Sequence, residues 1–151
     1  MKILTMKRPG LLVSLLALVL FSCTDKDTAI PINNDKLEGS WRMIAVKDNT
    51  TGLIHTKPGA ITGDVDLSIV AVNAERGFIN GKTPTNTLNG GYKVSNENLI
   101  NFGPMMASKV AETSWGLDFL HSVESTDTYA FDLDGRLMLH TEKKTLFFVR
   151  N

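Results

Sequence analysis

The side chains best suited to ligate a metal ion are three histidines, and the sequence distributes them over three kinds of segment. His55 lies in a polar loop, His121 in a segment with helical periodicity, and His140 on the outward-facing phase of a strand. A zinc site would need several of them together. The DLDG sequence at 132–135 resembles the opening of a calcium loop, but the later ligands and the closing glutamate are absent. We therefore predict no metal site and interpret residues 132–135 as a hairpin turn.

Motifs for catalysis are also missing from the sequence. It contains no Gly-x-Ser-x-Gly nucleophile motif, no His-Glu-x-x-His metalloprotease motif and no glycine-rich phosphate loop. The single cysteine, Cys23, lies at the end of an N-terminal export signal and is therefore not a candidate nucleophile. We therefore predict that the protein is not an enzyme and that it uses no cofactor.

Cys23 stands at the end of an N-terminal export signal. Three basic residues precede an apolar run at 11–21, which has the length of a signal-peptide core and is short for a membrane span. The LFSC sequence at 20–23 resembles the bacterial lipobox, in which the cysteine is lipidated and becomes the mature N-terminus. An ordinary secretory signal is the alternative. We predict that residues 1–22 are a lipoprotein signal peptide and that Cys23 anchors the protein to the outer membrane of a bacterial cell envelope.

The net charge and the length of the chain after residue 22 indicate its partners and its number of domains. Loss of residues 1–22 removes three of the 16 basic residues and none of the 16 acidic ones, so the mature net charge is −3. A nucleic-acid-binding protein would carry a basic surplus instead. Residues 23–36 are polar and read as a tether, and residues 37–151 suffice for one hydrophobic core. We predict a monomer whose partners are the membrane and an envelope protein or polymer, with no nucleic acid.

Residues 77–92, GFINGKTPTNTLNGGY, are rich in glycine and asparagine. Asn80-Gly81 and Asn89-Gly90 can reach positive φ at low cost, so we interpret both pairs as turns. They would flank a loop that Pro84 stiffens by fixing its own φ.

Three residues of this stretch, Asn86, Gly90 and Tyr92, are predicted to form an architectural unit. The Asn86 amide can bond main-chain groups that a tight loop leaves unpaired. Gly90 permits a close backbone approach, and Tyr92 begins the next strand with an apolar ring and a polar tip. The alternative is that Asn86 and Tyr92 present polar groups to a ligand.

Most of the remaining domain alternates between apolar and polar residues with period two, which predicts strands. In the first of them Trp41, Met43 and Ala45 share one face. The predicted strands are residues 37–46, 65–72, 78–79, 92–94, 99–102, 128–131, 136–141 and 145–150. Residues 104–123 instead place apolar side chains, Val110 and Trp115 among them, at helical spacing, with Thr113 or Ser114 as N-cap.

These elements predict the fold class. Seven to eight strands with one helical segment favour a mainly β, small antiparallel barrel-like domain of lipocalin topology, in which the helix covers an opening or one face.

Several short motifs, taken in order over almost the whole domain, together resemble the META domain (HslJ-like) family. They are Leu37-x-Gly39-x-Trp41, Gly81, Asn86-x-x-x-Gly90-x-Tyr92, Phe102-Gly103-Pro104, Ser108-Lys109-Val110-Ala111, Leu137-x-Leu139 and Leu146-x-Phe148. The resemblance implies a small β-barrel-like fold, an envelope or secreted location, frequent lipoprotein signals and an association with stress tolerance. It implies no enzymatic activity.

The sequence departs from this family at two positions where many members carry cysteines. Thr85 and Glu112 occupy those positions here. The loop and the helix must therefore be joined by packing and hydrogen bonds, without the ~2 to 4 kcal/mol that a disulfide typically contributes.

Gly39-x-Trp41 also resembles the opening motif of lipocalins, whose barrels carry small apolar ligands. In that family an arginine of the closing strand lies over the tryptophan, and Arg150 is placed to do so here. A carrier of a small apolar ligand is thus the alternative to a binding module, and it would need an open interior of roughly 300 Å³ or more. We expect a filled interior, because seven large aromatic residues must be placed: Trp41, Phe78, Phe102, Trp115, Phe119, Phe131 and Phe148.

Overall fold

The computed structural model describes residues 36–95 and 98–151, so the predicted signal peptide, Cys23 and residues 23–35 of the tether lie outside the described residues. The described chain contains ten strands and one helix. In order they are β1 (Gly39–Asp48), β2 (Ile54–Thr56), β3 (Asp66–Asn73), β4 (Arg76–Lys82), β5 (Thr87–Val94), β6 (Ile100–Phe102), β7 (Met106–Ala107), α1 (Ser114–Val123), β8 (Thr128–Phe131), β9 (Leu137–His140) and β10 (Lys144–Arg150).

The strands form one antiparallel sheet that is nearly closed into a barrel. Their order is β6-β5-β4-β3-β1-β10-β9-β8, with β2 beside β1 and β7 beside β5. The two ends meet where Leu99 forms a single bridge with Thr128 and where the Ile100 N–H donates to the Asp127 carbonyl at 2.9 Å. Within the described residues, no further strand pairing joins β6 to β8. The predicted mainly β, barrel-like fold with one helical segment is confirmed, and the short strands β2 and β7 were not foreseen.

One cluster of buried apolar side chains fills the space between the sheet and the helix. Trp41 enters it from β1, Trp115 and Phe119 from α1, and Phe148 from β10. The Phe119 and Phe148 rings meet edge to face with their centroids 6.3 Å apart, a favourable aromatic geometry. The helix therefore shares the core of the barrel, as the spacing of its apolar residues predicts.

The inward alternation of β1 changes phase part-way along the strand. Trp41 and Met43 are buried, but the register against β10 shifts between Met43 and Ala45. A β-bulge adds one residue to a strand and so exchanges its two faces. Val46 is consequently buried and Ala45 only half-buried, so the prediction that Ala45 continues the inward face was wrong.

The two Asn-Gly pairs are not turns. Both lie inside strands of one hairpin, where Asn80 of β4 pairs with Asn89 of β5. The turn of this hairpin is residues 83–86, closed by a hydrogen bond from the Thr83 N–H to the Asn86 carbonyl at 2.8 Å. Gly81 serves packing instead, since a Cβ there would lie 2.8 Å from Leu88 Cγ and 3.0 Å from a Phe119 ring carbon.

The helical segment is shorter than its apolar spacing suggests. The helix begins at Ser114, and its N-cap is Thr113, whose hydroxyl accepts a hydrogen bond from the Gly116 N–H at 3.1 Å. Val110 precedes the helix and its side chain is exposed, so its assignment to the helix was wrong. The C-terminal hairpins follow the prediction, with residues 132–135 as the turn between β8 and β9.

Candidate functional site

The side chain of Asn86 is buried in the β4–β5 turn and hydrogen-bonded at both ends. Its Oδ1 accepts from the Val110 N–H at 2.8 Å and from the Ser108 hydroxyl at 3.0 Å. Its Nδ2 donates to the Val110 carbonyl at 3.0 Å and to the Glu112 carboxylate at 2.8 Å. The amide thus fastens the segment between β7 and α1 to the hairpin. Its bonding capacity is used within the protein, which favours the architectural interpretation over a ligand contact.

Glu112 is the acidic centre of the same cluster. Its carboxylate accepts hydrogen bonds from the Thr83 hydroxyl and from the Thr113 N–H, in addition to the Asn86 amide. Burial alone would raise the pKa of Glu112, but hydrogen bonds from Thr83, Asn86, Thr85 and Thr113 outweigh it and lower this pKa to about 2. Thr85 and Glu112 are the two positions where the family resemblance expects cysteines. Hydrogen bonds to the single carboxylate of Glu112 join the hairpin to the start of the helix there.

We expect Glu112→Gln to remove an acid-sensitive part of the stability. A carboxyl group whose pKa falls on folding stabilises the native state fully above its unfolded value, here 4.5, and this stabilisation disappears as the pH falls towards 2. The free energy of unfolding, measured by urea denaturation across this range, should therefore fall less steeply in the variant than in the wild type. Glu142→Gln, at an exposed position in the β9–β10 turn, is the matched control. Identical slopes for Glu112→Gln and the wild type would contradict the assignment.

Gly90 and Tyr92 lie farther along β5, so the three residues predicted as one unit act at separate places. A Cβ at Gly90 would lie 3.1 Å from Met105 Cγ, and the glycine therefore allows Met105 to pack close to the strand. Tyr92 is buried, with its ring centroid 6.4 Å from that of Phe102. Both positions thus contribute to the core of the barrel.

Gly39, Trp41 and Arg150, which are predicted to close the barrel, lie together where the start of β1 pairs with the end of β10. The guanidinium carbon of Arg150 lies 4.5 Å from the centroid of the Trp41 ring, within the range of a cation–π contact. Its two terminal nitrogens donate to the carbonyls of Lys36 and Glu38, each at 2.9 Å. Gly39 has a φ of +140°, and a Cβ there would lie 2.5 Å from an Arg150 nitrogen. The Gly-x-Trp motif therefore provides the space in which Arg150 can stack.

The three histidines lie on three different elements, and His121 is exposed on α1. His55 lies on β2, where the sequence predicted a loop, and its Nε2 is 2.9 Å from Asp118 Oδ2, while Lys144 binds the other carboxylate oxygen. Burial would raise the pKa of Asp118, but hydrogen bonds from Lys144 and His55 lower it overall. His140 bonds Thr145, at 3.1 Å. Residues 36–95 and 98–151 contain no cluster of three or more potential metal ligands.

The polar network of His55, Asp118 and Lys144 joins β2 and β10 to α1. Sequence reasoning missed it because the three residues are far apart in the chain. The His55 ring also meets Trp115 edge-on, with centroids 6.2 Å apart. Within the described chain, the Trp115 Nε1 atom is buried without a hydrogen-bond partner. Because each charge here has a partner on another element, the network is suited to holding the helix in place.

A different surface carries exposed groups that the fold does not require. On the outer face of the sheet, Val70 of β3 pairs with Phe78 of β4, which pairs with Gly91 of β5. Phe78 is 59% exposed, so the prediction that it fills the interior was wrong. Ile79 takes the inward position. We call this surface, centred on Phe78 and floored by Gly91, the outer groove.

The outer groove consists of two adjoining hollows that share Phe78 and Gly91. One, of about 620 Å³, is bordered by Arg76 and Lys93. The other, of about 600 Å³, is bordered by Asn80 and Asn89, with Val70 and Met106 as further walls. Among the described residues, no acidic side chain lines either hollow. The groove therefore combines an exposed aromatic ring with cations on one side and amides on the other.

The pattern of β4 contains the signal that could have revealed this groove. Gly77, Ile79 and Gly81 alternate on one face, so Phe78 must lie on the other. Gly77 is buried, and a Cβ there would lie 2.1 Å from the Val70 carbonyl oxygen. The glycines beside Phe78 thus mark the inward face of a strand.

Neither a scan against family models nor a search of curated proteins finds a match to this chain. Among solved structures, an NMR structure of a protein from Burkholderia xenovorans is similar, with a TM-score of 0.62 and 21% sequence identity. The alignment covers 83% of this chain and 90% of that chain. The similarity supports the fold of the whole domain and carries no information on function.

Proposed function

We propose that the protein is a non-enzymatic, membrane-anchored envelope lipoprotein with a META/HslJ-like domain. The domain is a binding module for another envelope component, either a protein or a polymer. This binding contributes to envelope stress tolerance. The observation that carries this proposal is the outer groove. Exposed apolar groups gathered on one face of a small domain are a common mark of an interaction surface.

The packed interior supports the binding module over a carrier of small apolar ligands. Large side chains that a carrier would need to keep apart are in contact, with the Trp41 and Phe131 ring centroids 5.8 Å apart and Arg150 stacked over Trp41. The two hollows beside Phe78 lie on the outside of the sheet. A ligand could therefore occupy them without any rearrangement of the core.

Lipid attachment at Cys23 supplies the anchoring part of the proposal. In the part of the chain that the structure describes, no helix is long and apolar enough to cross a bilayer. Several acyl chains on one cysteine would bind a membrane stably, because each buried methylene contributes about 0.8 kcal/mol.

Cys23→Ser is expected to move the protein from the membrane fraction to the soluble fraction. The variant keeps the export signal but removes the thiol that the acyl chains require. Fractionation of cells followed by immunoblotting measures the change. Ser22→Ala, which keeps a small residue before the cysteine, is the matched control and should stay with the membrane. A Cys23→Ser protein that still partitions like the wild type would rule out the anchor.

The binding part is tested by photo-crosslinking in cells. A photoreactive amino acid at position 78 should give adducts with an envelope component. The same amino acid at Leu133, an even more exposed position in the β8–β9 turn, should not. Equal adduct patterns from the two positions would contradict the assignment of the outer groove as the binding surface.

A further inference from the structure

We propose that the outer groove binds an acidic glycan, a polysaccharide or oligosaccharide whose sugar rings carry carboxylates. This inference rests on the proposed function and names the partner class of the same surface.

The backbone of the outer groove limits what can bind there. β4 is paired with β3 on one side and with β5 on the other, and β5 is paired in turn with β6 and β7. Their main-chain groups are already used in the sheet, so an extended peptide cannot add to these strands by β-augmentation. A ligand of this face must be held by side chains and by the flat aromatic surface.

The side chains that remain match the chemistry of a sugar. The Asn80 and Asn89 amides each offer a donor and an acceptor, as a sugar hydroxyl also does. Within the described chain neither amide has a hydrogen-bond partner. Phe78, exposed between the two hollows, provides a flat apolar face against which a sugar ring can pack.

Charge selects acidic sugars over neutral ones. Arg76 and Lys93 are neighbours across the β4–β5 pair and border the same hollow. Neither forms an ion pair with another residue of the described chain. The guanidinium group of Arg76 can bind a carboxylate through two parallel hydrogen bonds, and the ammonium group of Lys93 adds a second positive charge. The mature chain is acidic overall, so a hollow whose described lining carries two cations and no acidic residue is a local feature.

The dimensions of the groove fit an oligosaccharide. Arg76 and Asn80 lie four residues apart on β4, which corresponds to about 13 Å along the strand, with Phe78 midway. One sugar over Phe78 could therefore extend its carboxylate to the cations while the next sugar presents hydroxyls to the amides. The floor at Gly91 has no side chain, so the ligand can approach the sheet closely.

Gly91 also provides a variant that fills the groove without disturbing the fold. A Cβ at this position would meet only the Gly77 carbonyl oxygen, at 3.6 Å, which is an ordinary contact. Valine favours strands. Gly91→Val should therefore fold like the wild type and occupy the space where the ligand would lie.

The test is isothermal titration calorimetry on the full chain in mild detergent. The probes are a tetramer of galacturonic acid, a neutral tetramer of glucose and an oligoglutamate peptide of the same charge. We expect saturable binding of the acidic glycan that weakens with added salt, and affinities at least about tenfold lower for the other two probes. Phe78→Ala and Gly91→Val should each lower the affinity for the acidic glycan about tenfold or more. Arg76→Gln combined with Lys93→Gln should abolish the preference for the acidic over the neutral glycan.

Leu133→Ala and Lys143→Gln, an exposed apolar residue and an exposed cation on other turns, are the matched controls and should bind as the wild type does. Failure of the acidic glycan to bind, or binding that Phe78→Ala and Gly91→Val leave unchanged, overturns this inference. Equal binding of oligoglutamate overturns it too, since charge alone would then suffice. If glycan binding fails while position 78 still crosslinks to an envelope protein, the proposed function stands and only the partner class is wrong. If position 78 gives no envelope adduct either, both are wrong.

Discussion

Replacement of Trp115 with alanine is expected to lower the free energy of unfolding by about 3 to 5 kcal/mol, the usual cost of truncating a fully buried large aromatic side chain. The side chain is 1% exposed and enters the barrel core from α1, together with Phe119. A domain of this size typically has a total stability of about 5 to 15 kcal/mol. The melting temperature should accordingly fall by roughly 10 to 20 °C.

Two further variants separate core packing from other causes. Leu117→Ala changes an exposed position of the same helix and should cost less than about 1 kcal/mol. Trp115→Phe keeps most of the ring and removes the Nε1 donor that has no partner in the described chain. Because a buried unpaired donor itself costs about 1 to 3 kcal/mol, Trp115→Phe should be much less destabilising than Trp115→Ala. A shift of only a degree or two for Trp115→Ala, measured by circular dichroism, would mean that the helix is not part of the core.

The sequence predicts the strands of this protein well because burial on one face of a sheet requires alternation. Val65, Leu67 and Ile69 alternate without interruption, and all three are buried in and beside β3. The prediction fails where the backbone departs from regular pairing. The bulge that moves burial from Ala45 to Val46 is set by the pairing with β10, about a hundred residues later, and the local pattern contains no trace of it.

The glycines of β4 show a second limit. Glycine is common in turns, and Asn-Gly is the strongest short hairpin signal, so the sequence predicts a turn at residues 80–81. In the structure, both residues are glycine because a side chain would not fit. A Cβ at Gly77 would collide with the Val70 carbonyl oxygen, and a Cβ at Gly81 would press against the Phe119 ring. Which of the two uses applies depends on residues that come from other elements. The same ambiguity concealed the outward orientation of Phe78 and with it the outer groove.

Of the candidate site, the sequence predicts the hydrogen-bonding role of Asn86 but not the outer groove. A buried asparagine in a proline-containing turn predicts main-chain hydrogen bonds, but the identity of its partners depends on where residues 108–112 return to the hairpin. Those partners lie 22 to 26 positions away in the chain. The cations and amides of the outer groove are brought together by strand register, which the sequence does not specify when the turn is misplaced.

Asn86→Ala is expected to destabilise the domain by about 2 to 4 kcal/mol, because several polar groups would lose their partners and each such loss costs about 1 to 3 kcal/mol when water cannot replace it. The groups affected are the Val110 N–H and carbonyl, the Ser108 hydroxyl and the Glu112 carboxylate. Asn86→Asp is a sharper probe of the same contact. It replaces the Nδ2 donor with an oxygen and places a second carboxylate beside Glu112, so the variant should be least stable at neutral pH and recover partly on acidification.

Asn89→Ala, on the outer face of the neighbouring strand β5, gives the opposite expectation. Its amide has no partner within the described chain, so the free energy of unfolding should change by less than about 0.5 kcal/mol. Because Asn89 borders the amide side of the outer groove, the variant should nevertheless weaken binding of the galacturonic acid tetramer. Asn86→Ala should keep the wild-type affinity at temperatures where it remains folded. The two asparagines thus separate stability from recognition when each variant is measured by urea denaturation and by calorimetry. If Asn86→Ala kept its stability and lost the ligand, the turn at residues 83–86 would be the recognition site and the outer groove would not.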